Sequence, residues 1–396
     1  MTERLYYTAP YQTDFEAVVE RTEPADSGLA VILNRTAFYP TSGGQPYDTG
    51  MLSGARVVEV ADSDAGDVIH IVEGSLRPGQ TVHGTIDWVR RFDHMQQHSG
   101  QHVLSAAFER LHGARTISFH LGRDSSTIDL DRDLPAGLIA SAEDESNRVV
   151  WRNDPVAIRF VSGEEAAGLP LRKPPTRDGT LRLIEIGEFD LSACGGTHVS
   201  RTGAIGLIAV RAWERFKGGT RVEFVCGGRA LALSRTLRDQ VDAAGRLLST
   251  SGADLADAIG RLQAESKEQR RTLKSFQEQL AGAKAAELSA SAVEAAGGRL
   301  VVEALDGWDA QGLKLVAQAI ADRPGHAAVV LSRTRPALIV VTRAKDFSGL
   351  DAKALLDALI KRFGGKGGGR PDLAQGGGLD GAVEDLIAAA RAAAAV

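Results

Sequence analysis

The stretch "RFDHMQQHSGQHVLSAAF", residues 91–108, is where the hydrophobic pattern of this 396-residue chain changes period. Its apolar residues, Val103, Leu104, Ala107 and Phe108, continue to Leu111 and form a helical stripe from about Phe92. Histidines stand at positions 94, 98 and 102, each four residues after the last, so a helix presents all three on one side. Two rings one turn apart can reach a single metal ion. His94 and His102 would lie about 12 Å apart along the axis, so all three cannot share one.

Before this helix the chain reads as strands. "FEAVVERTE", "GLAVILNRTAFYP", "ARVVEVADS", "DVIHIVEG" and "QTVHGTIDW" are short β-rich runs split by Gly, Asp and Pro; over 1–88 they predict a small barrel or sandwich, of which the barrel is preferred. After it, strands and helices mix through "RTISFHLG", "SSTIDLD", "LPAGLIASAEDESNRVVWRN", "PVAIRFVS", "LRLIEIGEFDLS", "AIGLIAVRAWERF" and "TRVEFVCG", which predicts an α+β domain over 89–227. Residues 228–290 predict a helical spacer. Val241, Leu248, Leu255, Leu262, Gln269 and Phe276 recur by sevens, with Ile259, Ser266, Leu273 and Leu280 as the second row. Two arrangements satisfy this seam: an intermolecular coiled coil, or two helices folded back with the turn near the polar gap at Ser266 and Gln269. Residues 291–396 predict a small α/β domain whose last two helices are joined by a glycine-dense loop, "GGKGGGRPDLAQGGG". The fold class is therefore multidomain α+β.

The composition is that of a globular protein, 43% hydrophobic and 24% charged, with no apolar run long enough to cross a bilayer. The first twenty residues carry acids early and no apolar stretch behind a basic one, so no signal peptide is expected. Two cysteines, Cys194 and Cys226, exclude a disulfide framework and fit a reducing cytoplasm. The net charge of −5 argues against polyanion binding by the whole surface and leaves any nucleic acid to local basic patches.

"SACGGTHV" supplies a second four-spaced pair, Cys194 and His198, on a Gly-Gly turn that lets both side chains converge. Thiolate with imidazoles is a preferred zinc set. His98 and His102 precede the apolar stripe directly, with small Ser99 and Gly100 between them, whereas His94 follows "RRFD" one turn earlier. The expected ligands of Zn2+ are His98, His102, Cys194 and His198. His94 is left without a role, and Cys226 reads as a packing residue.

"HSGQH" followed about ninety residues later by "CGGTH" resembles the editing domain of alanyl-tRNA synthetase and its free-standing relatives, the AlaX proteins. "FYPTSGGQPYDTG" resembles the Gly-rich motif that precedes that domain, and "FGGKGGGRPDLAQGGG" the small domain that ends alanyl-tRNA synthetases and DHH-type phosphoesterases. No ATP-binding signature and no DHH motif is present. The resemblance implies a long-form AlaX protein, a trans-editing hydrolase that deacylates tRNA(Ala) mischarged with serine or glycine, without a membrane and with a homodimer through the spacer or the C-terminal domain as an option. The logic is physical, because a synthetase pocket built for alanine cannot strongly exclude a smaller residue or one that adds only a hydroxyl.

Within that resemblance Ser118, His120, Thr41, Gln45 and Thr197 are the expected substrate contacts, and Lys366 and Arg370 the expected RNA contacts, with Lys361 and Arg362 nearby. Four protein ligands close a zinc site by the usual rule. Either one is displaced, or zinc orients the substrate while a neighbouring group handles water; the catalytic residue stays unassigned. Two other readings keep the zinc: an RNA-binding module without catalysis, and a hydrolase of small esters or amides.

Overall fold

The computed structural model describes residues 1–172 and 179–394. The chain forms two compact units, Met1–Ala243 and Ala244–Val396.

The first unit opens with the expected barrel. Six strands, Asp14–Ala25, Gly28–Leu33, Thr81–Ile86, Gly50–Leu52, Ala55–Asp62 and Val68–Glu73, close on one another. Alternation sends Phe15, Ala17, Val19, Val57, Val60, Val68, Val72 and Val82 inward. The run "GLAVILNRTAFYP" is not one strand. It leaves the barrel after Leu33, and Ala37, Phe38 and Tyr39 are buried within a loop. One polar ring, His70, stands in the barrel core with no exposure. Its Nε2 lies 2.8 Å from Thr36 Oγ1 and its Nδ1 3.1 Å from Val31 O.

Helix α1, Trp88–His112, follows at once; Asp87 caps its start by accepting from Arg90 N, and Gly113 ends it in a left-handed turn. It is buried along most of its circumference. Around it lie α2 (Ala136–Arg152), the short α3 (Gly163–Ala167), a four-stranded sheet and a three-stranded one. In the first sheet Ile208–Phe216, Gly219–Cys226, Ser126–Leu130 and Thr116–Leu121 pair in that order. In the second, Val156–Val161, Leu181–Ile186 and Asp190–Ala193 pair in that order. The run "LRLIEIGEFDLS" is thus a hairpin rather than one strand, turned at Gly187, whose φ is +48°. Helix α4, Gly227–Leu248, closes the domain through a bidentate ion pair of Arg229 with Asp93.

Of the two arrangements open to the spacer, the fold-back turned near Ser266 and Gln269 does not form. Helix α5, Leu255–Ala290, runs unbroken through Ser266 and Gln269, and the interruption falls at 249–254 instead. The segment there, "STSGAD", holds residues that compete with helical hydrogen bonding, and Ser249 is left-handed at φ 52°. A polar residue at a seam position leaves the helix backbone intact, whereas this cluster does not. Ile259, Leu262, Leu273, Phe276 and Leu280 of α5 are exposed.

The C-terminal part of the second unit is a six-stranded sheet in the order Val293–Ala295, Gly298–Leu305, His326–Ser332, Ala337–Arg343, Leu373–Leu379, Lys366–Arg370. The end of α5 and α6 (Ala310–Ala321) cover one face through Ala285, Leu288, Leu313 and Val316. Helices α7 (Ala352–Phe363) and α8 (Val383–Ala394) cover the other through Leu355, Leu356, Leu386 and Ala390. Burial on both faces explains the near-continuous apolar runs of its central strands. The glycine-dense segment is not a loop. Lys366–Arg370 and Leu373–Leu379 pair antiparallel and form the sheet edge.

Two consequences can be measured. Burial pushes the His70 pKa from 6.5 down to about 4. The unfolded chain therefore takes up a proton near pH 6.5 that the folded barrel resists, and stability is lost as pH falls through that window. Chemical denaturation between pH 7 and pH 4 is expected to cost the wild type about 3 kcal/mol more than a His70→Gln variant. A Cβ on Gly100, in the middle of α1, would collide with the Cys226 thiol. Gly100→Ala should therefore destabilise by roughly 1–3 kcal/mol, and a Gly100→Ala/Cys226→Ala pair should recover most of the lost melting temperature.

Candidate metal centre

Four side chains from two distant stretches meet beside α1. His98 and His102 project from consecutive turns of that helix, while Cys194 and His198 come from the end of the strand Asp190–Ala193 and the turn after it. One ligand atom from each lies within 4.8 Å of every other. The Nε2 atoms of His98 and His198 each stand 3.4 Å from Cys194 Sγ. All three rings are buried.

The turn that carries Cys194 is shaped from behind. Arg182 donates from Nη1 to Cys194 O at 2.6 Å and to Gly196 O at 3.0 Å, and from Nε to Tyr7 O at 2.9 Å. Gly196 must lack a side chain, because a Cβ there would enter the His98 ring. The second glycine of "CGGTH" is thus a steric requirement of the ligand cluster.

Each imidazole is held by its other nitrogen. His98 Nδ1 lies 2.8 Å from Gln45 Oε1, His198 Nδ1 3.1 Å from Ser99 Oγ, and His102 Nδ1 2.9 Å from a carboxylate oxygen of Asp190. With Nδ1–H donating in each case, all three Nε2 atoms are left to face a metal, which on binding would displace the second proton of His102. The electrostatics agree with a thiolate-centred cluster. Burial opposes the Cys194 thiolate, but His98, His198 and His102 outweigh it and hold its pKa well below the ordinary value. Burial also opposes a charged His102, yet Asp190 and Cys194 raise its pKa to about 9. Burial lowers that of His198 to about 3. Three neutral-capable imidazoles and one thiolate within a few ångströms fit a zinc ion in number and in donor type.

His94 stands outside this cluster. It is buried, its Nδ1 has no hydrogen-bond partner among the described residues, and burial together with Arg90, Arg229 and Arg91 lowers its pKa to about 3.

Beside the four donors is a cavity of about 210 Å³, lined by Tyr39, Ser42, Gln101, Thr116, Phe119, Arg172 and Ser192 among others. None of the five expected substrate contacts lines it. Gln45 and Thr197 are fully buried and bond each other, Gln45 Nε2 donating to Thr197 Oγ1 at 2.8 Å, so their work is to hold His98. Ser118 and His120 flank Phe119 on one strand, and alternation turns both away when Phe119 faces the cavity; Thr116 lies on Phe119's side because the ladder slips at Ile117, between the pairs Thr116–Leu130 and Ser118–Asp129. Ser118 donates to Asp129 at 2.6 Å instead. Thr41 is exposed, and its neighbours Ser42 and Gly43 take the wall position. The sequence reading missed Asp190, Arg172, Gln101 and Ser192. Asp190 and Ser192 sit four and two residues before Cys194, inside the quoted strand, where a carboxylate near a ligand histidine is the one signal that pointed to them.

Three family models match separate stretches of the chain. Residues 5–90 match the family model described as tRNA synthetases class II (A). Residues 181–223 match the threonyl and alanyl tRNA synthetase second additional domain, and residues 297–395 the DHHA1 domain. An alanine–tRNA ligase of Xanthomonas campestris is 33% identical over 385 residues, and one of Halorubrum lacusprofundi 34% identical over 403. These alignments take in 92% and 98% of this chain but 43% of each ligase, so the chain spans less than half the length of those relatives. A solved structure, the C-Ala domain from Aquifex aeolicus alanyl-tRNA synthetase, aligns with 25% of this chain and 96% of its own at 25% identity and a TM-score of 0.22, too low to bear on the fold. The alanyl-tRNA editing protein AlaX-L of Pyrococcus horikoshii is 30% identical over 388 residues, covering 95% of this chain and 94% of the relative. Matched over nearly all of both chains in this way, the chain belongs to the family of alanyl-tRNA editing proteins of the AlaX-L kind.

Proposed function

We propose that this protein is a trans-editing aminoacyl-tRNA deacylase that hydrolyses the ester of tRNA(Ala) mischarged with serine or glycine, with Zn2+ held by His98, His102, Cys194 and His198. The observation that carries the reading is the four-donor cluster with every histidine anchored, beside a cavity of about 210 Å³, in a chain similar along its length to an editing protein. A cavity of this size beside the four donors can take the aminoacyl end of a tRNA. Zinc, when bound, supplies Lewis-acid polarisation beside the ester.

The protein's own groups do the rest. Gln45, Asp190 and Ser99 fix the rings; Phe119 and Tyr39 wall the cavity and limit water; Ser42, Gln101, Thr116 and Ser192 offer hydroxyl and amide groups to a serine hydroxyl or an ammonium. Gln101 and Thr116 both bond Ser105 Oγ, at 2.8 and 2.7 Å, which holds their positions. We retain the division 1–88, 89–227, 228–290 and 291–396 as the working parts, and the cytoplasm as the compartment, in keeping with two unpaired cysteines. The exposed seam of α5 supports pairing with a second copy there.

For RNA contact we propose the edge strand at Lys366 and Arg370, both exposed, with Lys361 and Arg362 at the end of α7. Arg370 makes a surface pair with Asp372 at 3.4 Å, which solvent weakens enough for a phosphate to compete.

Purified protein mixed with Ser-tRNA(Ala), Gly-tRNA(Ala) and Ala-tRNA(Ala) is expected to release serine or glycine far faster than alanine. No release at catalytic protein concentration would refute the editing reading and leave RNA binding alone. Cys194→Ala should lose both metal and activity, while His94→Ala should keep its zinc; zinc loss in the latter would mean that the ligand set is wrong. A Lys366→Glu/Arg370→Glu pair should weaken tRNA binding about tenfold and flatten its salt dependence with the zinc content unchanged.

A further inference from the structure

The three imidazole anchors are not alike. Gln45 offers His98 a neutral amide oxygen, and Ser99 offers His198 a hydroxyl that also accepts from Val199 N at 3.1 Å. Asp190 offers His102 a carboxylate with no side-chain exposure. That carboxylate is itself held on several sides. Arg172 donates from Nε at 2.6 Å, and Ser192 Oγ lies 3.0 and 3.1 Å from its two oxygens. Arg172 in turn is docked by its backbone, its N–H donating to Leu191 O at 2.9 Å. The strand Asp190–Ala193 therefore carries both the Asp190 anchor and, at its end, the Cys194 ligand.

We infer that Asp190 is a positioning residue that makes His102 the most firmly held of the four ligands, with Arg172 and Ser192 locking Asp190 in place. The inference rests on the zinc reading above. A buried carboxylate fixes the ring plane and keeps the proton on Nδ1, so Nε2 faces the metal in one orientation only. A carboxylate partner also makes the imidazole a stronger electron donor than a neutral one does. Arg172 balances the added negative charge, without which the carboxylate would be buried beside a thiolate. The support is thus asymmetric: one ligand is anchored by charge, two by neutral groups.

Asp190→Asn, Ser99→Ala and the wild type are to be compared by zinc affinity, measured by competition with a chelator, alongside deacylation with and without excess zinc. Asp190→Asn is expected to bind zinc 10–100-fold more weakly, and Ser99→Ala to lose less. Excess zinc should restore most of the Asp190→Asn turnover with an unchanged KM, which loss of a substrate contact would not allow. Zinc affinity within twofold of wild type, or a loss no larger than that of Ser99→Ala, overturns the inference. If Asp190→Asn does not fold, Arg172→Gln is measured in the same way: a several-fold loss of zinc affinity supports the lock, and an unchanged affinity overturns it. A wild-type protein that binds no zinc at all instead removes the metal from the proposed function, an outcome distinct from a wild type and a variant that bind it equally.

Discussion

Three buried imidazoles gather around Cys194, and what the second nitrogen of each one meets organises the first unit of this protein. Three rings need three partners, and the partners come from three different parts of the chain. Gln45 comes from the barrel, Ser99 from α1 itself and Asp190 from the three-stranded sheet. The barrel therefore supplies part of the site, and it must hold a loop in register with a helix that begins after its last strand. It does so through Arg91 and Asp48, both fully buried. Arg91 bonds both carboxylate oxygens of Asp48 and also the carbonyls of Pro10 and Ala37. Asp48 accepts from Tyr39 N at 2.7 Å, which ties the pair to the loop that carries Gln45. Breaking either partner would strand a buried charge, so the attachment is strict.

Most of the fold was legible because it is written in period. The alternation of "FEAVVERTE" and the stripe from Val103 to Leu111 announce strand and helix directly. The central strands of the second unit read correctly because burial on both faces makes them uniformly apolar. The failures share a cause. "GGKGGGR" has no side-chain alternation to read, so an edge hairpin held by backbone pairing passed for a loop. "STSGAD" interrupts the helical spacer without disturbing the seven-residue spacing of Leu248 and Leu255 on either side.

The ligand cluster was legible for a different reason. Cysteine is scarce here, and a Cys-x-x-x-His pair on a Gly-Gly turn has few other purposes. Its surroundings were not. Thr197 and Gln45 look like pocket residues from their motifs, but in the fold each satisfies the other. Ser118 and His120 were separated from the cavity by one position of strand register, and no motif records which parity faces inward. Asp190 is a single acid in a strand, indistinguishable in sequence from a surface residue until its burial is known.

The hairpin at the edge of the C-terminal sheet has an implication for solution behaviour. Strand Lys366–Arg370 presents unpaired backbone groups on its outer side, and three consecutive glycines give it no bulk to keep another chain away. Its defence is the cation at either end, which repels the same strand of a second molecule. Replacing those cations, or masking them with polyanions at low salt, therefore removes a guard against edge-to-edge association. The shelf life of a concentrated sample is tied to the same two side chains.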